Sequence, residues 1–124
     1  MDLHLSQPHR LWCSPEGAIS PLHFDTSTSF LVQVSGAKRM LFYPPEQAQL
    51  LYHYPDTHML RRRARVDPAE PDLHSFPLVQ QAAALEAVLQ PGDAILFPAR
   101  WSHYTESIRT VNMSVTVRYS ALDG

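Results

Sequence analysis

Apolar and polar positions in this chain repeat with a period of two far more often than with the period of a helix. Phe30, Val32 and Val34 alternate with Leu31 and Gln33, and Trp101, His103 and Thr105 alternate with Ser102, Tyr104 and Glu106. Such alternation marks strands, whose side chains point to opposite faces in turn. Strands are expected over residues 10–13, 18–25, 29–34, 38–43, 85–90, 94–98, 101–107 and 112–119. Ser35 and Gly36 separate two of them and predict a hairpin, while Pro91, Gly92 and Asp93 predict a tight turn. Helical character is confined to residues 46–52, entered through Pro44 and Pro45, and to a short turn near 78–84. Many short strands with close turns and no strand–helix rhythm predict an all-β barrel or double-sheet roll with one or two short helices.

A length of 124 residues allows one domain with a sizeable core. The expected layout is a flexible segment over 1–9, the barrel over 10–120 and a tail over 121–124. A net charge of −2 gives no case for nucleic-acid binding through bulk charge. The lone cysteine, Cys13, excludes an intrachain disulfide and reads as a small half-buried hydrophobe. It fits a reducing compartment, so the expected location is intracellular, cytoplasmic or nuclear. No apolar run approaches the roughly twenty residues of a membrane span, so no membrane partner is expected.

His23 and Asp25, one residue apart in an expected strand, point to one side and place an imidazole nitrogen beside a carboxylate oxygen. Two histidines and one carboxylate form the facial set that holds Fe(II) with open positions. Of the downstream histidines only His103 lies in a strand alternation, after the Pro91-Gly92-Asp93 turn and an apolar strand, and it is the expected third ligand. His58 and His74 read as surface residues. The long connection from 54 to 77 carries Arg61, Arg62, Arg63 and Arg65, followed by Asp67, Glu70 and Asp72. It reads either as a solvated run partly neutralised by these acids or as a patch recognising an acidic substrate or RNA phosphate.

The blocks Ser20-Pro21-Leu22-His23-Phe24-Asp25, Phe30-Leu31-Val32-Gln33-Val34 with Gly36, Lys38 and Arg39, Tyr43-Pro44-Pro45-Glu46, Asp67 with Pro71-Asp72-Leu73 and Phe76-Pro77, and Pro91-Gly92-Asp93-Ala94-Ile95-Leu96-Phe97-Pro98 with Trp101 and His103 occur in this order. Over residues 12–119 the chain resembles the JmjC (cupin-like) 2-oxoglutarate oxygenases, and within them the small hydroxylase branch. The resemblance implies a double-stranded β-helix with iron at its open end and His23, Asp25 and His103 as the ligands. Lys38, fifteen residues after His23, would hold the distal carboxylate of 2-oxoglutarate, with Ser20 sharing it. Ser29 stands where the branch commonly has an asparagine near the cosubstrate, and Arg118 where relatives carry tryptophan or asparagine. The implied activity hydroxylates a protein or peptide side chain, consuming O2 and releasing succinate and CO2. N-methyl-lysine or -arginine demethylation, hydroxylation of transfer RNA, and a non-catalytic binding scaffold stand as alternatives. Family enzymes carry a longer N-terminal region, so the chain is expected to be a fragment, or a reduced member that dimerises. Substrate-binding residues are not legible.

Overall fold

The computed structural model describes residues 3–5 and 9–121. Seven strands form an antiparallel sheet: β1 (Leu3–Leu5), β2 (Arg10–Ser14), β3 (Ile19–His23), β4 (Thr28–Tyr43), β5 (Leu85–Leu89), β6 (Ala94–Phe97) and β7 (Ser102–Ala121). Two 3-10 helices, Pro45–Leu51 and Pro77–Gln81, lie between β4 and β5. No helix among the described residues is long and apolar enough to cross a membrane.

The long strands β4 and β7 pair with each other from Thr28 opposite Tyr119 to Tyr43 opposite Ser102. The first half of β4 carries β6 on its other edge, and the half of β7 beside it carries β2. The second half of β4 carries β5, and its β7 partner carries β3. Two four-stranded sheets result, continuous through the long strands. Counted by halves these are the eight strands of a double-stranded β-helix. The sheets pack face to face: Leu31 and Phe97 from the first join Met40, Phe42 and Leu89 from the second in one buried cluster.

The hairpin expected at Ser35 and Gly36 does not form, because both flanking segments pair with β7 and the chain runs straight on as β4. The segments 101–107 and 112–119 likewise merge into β7. What looked like turns are bulges where the strands cross from one sheet to the other. Register shifts fall between Gln33 and Lys38, and β7 passes through Thr110 at φ +40°. A bulge adds a residue to one strand, and each added residue exchanges the inward and outward faces. Ser29, Leu31 and Gln33 are buried while Phe30 and Val34 are exposed; past the bulges Lys38, Met40 and Phe42 turn inward. In β7 the interior positions change from His103, Thr105 and Ser107 to Ser114, Thr116 and Arg118. Gln33 and Asn112 satisfy the displaced backbone. Gln33 Nε2 donates to Ser35 O and Asn112 Oδ1, both at 2.8 Å, and Asn112 Nδ2 donates to Arg109 O at 2.9 Å.

A second core covers the outer face of the β3–β7–β4–β5 sheet. Leu22, Leu41, Tyr43 and Tyr104 of the strands pack with Leu51, Val79 and two residues of the long connection, Ala64 and Val66. Full burial of Leu22 and Leu51 contributes about 2 kcal/mol each. The connection is therefore an ordered cover. Its Ala64 N–H donates to Leu22 O at 2.9 Å, and its Tyr54 N–H to Arg63 O at 3.0 Å.

Within the segment 1–9 expected to be flexible, Leu3–Leu5 forms a strand along the end of β7, where free backbone groups accept a partner. Residues 1, 2, 6–8 and 122–124 lie outside the described ones, and Ala121 ends β7 rather than opening a tail. Cys13 is exposed, not half-buried, because β2 is an edge strand paired only with β7.

Gly36 sits at φ +70°, and a Cβ there would come within 2.7 Å of Asn112 Nδ2, 2.8 Å of Val111 O and 2.9 Å of Arg109 O. Gly92 has φ +93° with open space around it. Gly36→Ala is expected to cost about 3 kcal/mol in urea unfolding and Gly92→Ala about 1 kcal/mol. Equal losses would show that close approach at the crossover is not what requires Gly36.

Candidate metal centre and anion cavity

β3 ends at His23, two residues short of the expected strand end, because other segments take up the backbone beyond it. Phe24 N–H donates to Arg62 O at 3.0 Å, and Arg100 N–H donates to Asp25 O at 2.8 Å. The second contact pins Asp25 against the loop after β6, in which Arg100 adopts φ +71°. His23 and His103 face each other across the β3–β7 pair, with ring centroids 4.4 Å apart. His103 Nε2 lies 3.4 Å from Asp25 Oδ2, and His23 Nε2 lies 3.8 Å from Asp25 Oδ1. His103 and Asp25 are buried and His23 is half-buried, between the barrel interior and its mouth.

The hydrogen bonds on the far side of each ring fix its chemistry. His23 Nδ1 lies 2.8 Å from Pro21 O, and His103 Nδ1 lies 3.0 Å from Trp101 O. A carbonyl oxygen only accepts, so Nδ1 carries a proton in both rings and each Nε2 faces the carboxylate, donating to it when the ring is protonated and offering a lone pair when it is not. Burial and the neighbouring His103 hold the proton affinity of His23 below that of a free imidazole, against the pull of Pro21 O and Asp25. Burial would raise the Asp25 pKa. The hydrogen bond from His103 and the charges of His103, His23 and Arg118 outweigh it and bring the pKa to about 2. Three Lewis bases thus converge with their ligand atoms within 4.8 Å of one another. They repel unless a cation lies among them. Two imidazole nitrogens and one carboxylate fit Fe(II) with open positions better than the four-coordinate closed sites typical of structural zinc.

Behind these residues a cavity of about 320 Å³ runs between the two sheets. Lys38 projects into it from β4, is 8% exposed, and donates through Nζ to Ser114 Oγ of the opposite sheet at 2.9 Å. Burial alone lowers its proton affinity, and among the described residues no carboxylate is close enough to raise it. A buried ammonium held by one hydroxyl is a site waiting for an anion. Ser20, Ser29 and Arg118 line the same cavity. Ser29 Oγ and Arg118 Nε are buried without a hydrogen-bond partner among the described residues, and Arg118 Nη2 lies 3.7 Å from Asp25 Oδ2. These orphaned groups fit a polar ligand with more than one anionic oxygen.

Ser114 and Thr116 escaped sequence reasoning, as did Trp12, whose Nε1 donates to Thr116 Oγ1 at 3.0 Å. A signal was present. In residues 112–118 the alternating set Asn112, Ser114, Thr116 and Arg118 is polar and the set Met113, Val115 and Val117 apolar, and it is the polar set that points inward. The other histidines downstream of His23 stay outside the site. His53 Nε2 meets Ser102 Oγ at 3.2 Å, while His58 and His74 are exposed.

Residues 4–123 match the family model described as a cupin-like domain. The chain is 37% identical to Jumonji C domain-containing protein 5 of Drosophila melanogaster, over 79% of this chain and 24% of that protein. It is 35% identical to lysine-specific demethylase 8 of Xenopus tropicalis, over 87% of this chain and 24% of that protein. The chain thus spans about a quarter of the length of these curated relatives. Among solved structures, E. coli ycfD superposes with a TM-score of 0.59 at 18% identity, covering 93% of this chain and 26% of the other. An oxalate decarboxylase of Lactobacillus farciminis superposes at 0.55 and 14% identity, covering 94% and 24%. These two likenesses concern the fold.

Replacing Lys38 by methionine removes the uncompensated charge while keeping the length of the side chain. Lys38→Met is expected to raise the stability of the ligand-free protein by about 1–2 kcal/mol in urea unfolding, while weakening binding of small dicarboxylates. A destabilised Lys38→Met protein would mean that the Ser114 bond already satisfies the ammonium.

Proposed function

The chain belongs to the cupin-like family, among its JmjC members, and we propose that this domain is an Fe(II)- and 2-oxoglutarate-dependent oxygenase that hydroxylates a protein side chain. The observation that carries the reading is a buried Lys38, with no counter-ion among the described residues, in the same cavity as the His23–Asp25–His103 set. A metal-only scaffold has no use for such a lysine, whereas an enzyme that takes a dicarboxylate does. Iron and 2-oxoglutarate, when bound, supply the oxidising chemistry, with O2 consumed and succinate and CO2 released as oxygen enters a C–H bond of the substrate.

The chain's residues provide placement and charge. His23, Asp25 and His103 would hold the metal, their imidazoles oriented by Pro21 O and Trp101 O. Lys38 with Ser114 would bind the distal carboxylate, and Arg118 and Ser29 supply the donors nearest the metal end. Phe97 and Phe42 pack against His103, with ring centroids at 4.7 and 6.4 Å, and keep that side of the site dry. Hydroxylation is preferred to demethylation because Arg61, Arg62 and Arg63 stand beside His23. Cations there oppose a methylammonium group, which is normally held by aromatic and anionic surroundings.

Calorimetric titration of 2-oxoglutarate into anaerobic Fe(II)-loaded protein tests the reading. Micromolar, metal-dependent binding is expected, abolished in His103→Ala and in Lys38→Ala, with slow succinate formation once air is admitted. A folded wild-type protein that binds metal but no 2-oxoglutarate would leave the scaffold as the function.

A further inference from the structure

The arginine run divides into two parts that the sequence does not distinguish. Arg65, although exposed, is engaged by the fold itself. Its Nε donates to Tyr52 O at 3.2 Å, and its guanidinium lies 5.9 Å from the centres of both the Tyr52 and Phe76 rings. Arg61, Arg62 and Arg63 are exposed, and they border a second groove of about 320 Å³ with Met59, Leu60 and His23. This groove shares His23 with the anion cavity, so it opens directly beside the metal centre.

The backbone carrying these arginines is held in place. Arg63 forms a β-bridge with His23, Arg62 O accepts from Phe24 N–H at 3.0 Å, and Arg63 N–H donates to Leu60 O at 2.8 Å. Among the described residues Arg61 and Arg63 have no carboxylate within 4 Å, and the acids that follow in sequence do not pair with them. Asp67 and Asp72 instead accept from backbone N–H groups of Ala69 and His74 at 2.9 and 3.1 Å. Only Arg62 approaches an acid, with Nη1 4.0 Å from Asp25 Oδ1. Positive charge is therefore fixed at the mouth of the site and left uncompensated, on a chain whose net charge is −2.

We propose that this groove binds an acidic peptide segment, placing an Asp or Glu of the substrate on Arg61 and Arg63 beside the residue to be oxidised. Because Arg63 bridges to His23, that acid lies within a few positions of the target along an extended chain. Met59, 92% exposed, and Leu60, 39% exposed, offer apolar contact along the same groove, which suits a polypeptide better than a sugar–phosphate backbone. The inference rests on the oxygenase reading in taking the groove as the path to the metal, but peptide binding itself requires no turnover.

Fluorescence anisotropy with a labelled alternating Glu-Ala peptide, a Lys-Ala counterpart and oligouridylate of similar length tests the proposal. The Glu-Ala peptide is expected to bind in preference to both others. Arg61→Gln combined with Arg63→Gln should weaken it by about fivefold to tenfold, the size of two partly exposed ion pairs. The double variant should keep its melting temperature and its affinity for 2-oxoglutarate. Lys38→Ala should keep the peptide while losing 2-oxoglutarate, so failure of the oxygenase reading and failure of this one remain separate. No preference for Glu-Ala over Lys-Ala, or unchanged binding in the double variant, would overturn the proposal. Tighter binding of oligouridylate with a steep loss of affinity in salt would overturn it in favour of RNA.

Discussion

The pairing of β4 with β7 and the break in its register are what the rest of the domain depends on. Two strands of this length could lie as a flat ribbon with one face wet. Bulges between Gln33 and Lys38, matched by the bend of β7 through Thr110, carry both strands from one sheet into the other and invert their inward faces. The inversion directs Lys38 and His103 into the same interior as Ser29 and Arg118, which come from the opposite side of the crossover. Gln33, Asn112 and Gly36 have no place in the site, yet they make its composition possible by allowing the crossing without unsatisfied backbone.

The interior joins two kinds of chemistry. Leu31, Met40, Phe42, Leu89 and Phe97 form an apolar cluster between the sheets that supplies stability, with Phe42 and Phe97 reaching the ring of His103. Beside them an ammonium, a guanidinium, a carboxylate and two imidazoles are crowded together, where burial opposes the charge of Lys38 and burial with His103 opposes that of His23. The outer core lies beneath the long connection, and the connection also brings its arginines to the mouth of the site. One segment therefore serves packing through Ala64 and Val66 and sets the charge at the mouth through its neighbours.

Much of this was legible in the sequence. Period-two alternation placed nearly every strand, and His23, Asp25 and His103 are brought together in space, as are Lys38, Ser20, Ser29 and Arg118 around one cavity. The connectivity at 35–36 was not legible, because a glycine at positive φ serves a hairpin and a crossover bulge equally well, and at 108–111 the positive φ falls on Thr110, which nothing in the sequence marks. Only long-range pairing with β7 decides between them. Ser114 was missed because an inward-facing hydroxyl and a solvent-facing one look alike in sequence. The groove-lining part of the arginine run could not be separated from Arg65 without knowing where Tyr52 and Phe76 lie.

The paired crossover also bears on how such a chain tolerates insertions and deletions. Within a regular strand, adding or removing one residue turns every side chain beyond it to the wrong face. At the bulged segments of β4 and β7 the spacing is already irregular and the side-chain parity already changes. A length change there need be absorbed only locally, by another bulge. The half that carries His23, His103 and Lys38 and the half that carries Ser29, Ser114 and Arg118 can therefore drift in sequence as separate modules, with the crossover as the joint that keeps an alteration in one from scrambling the other.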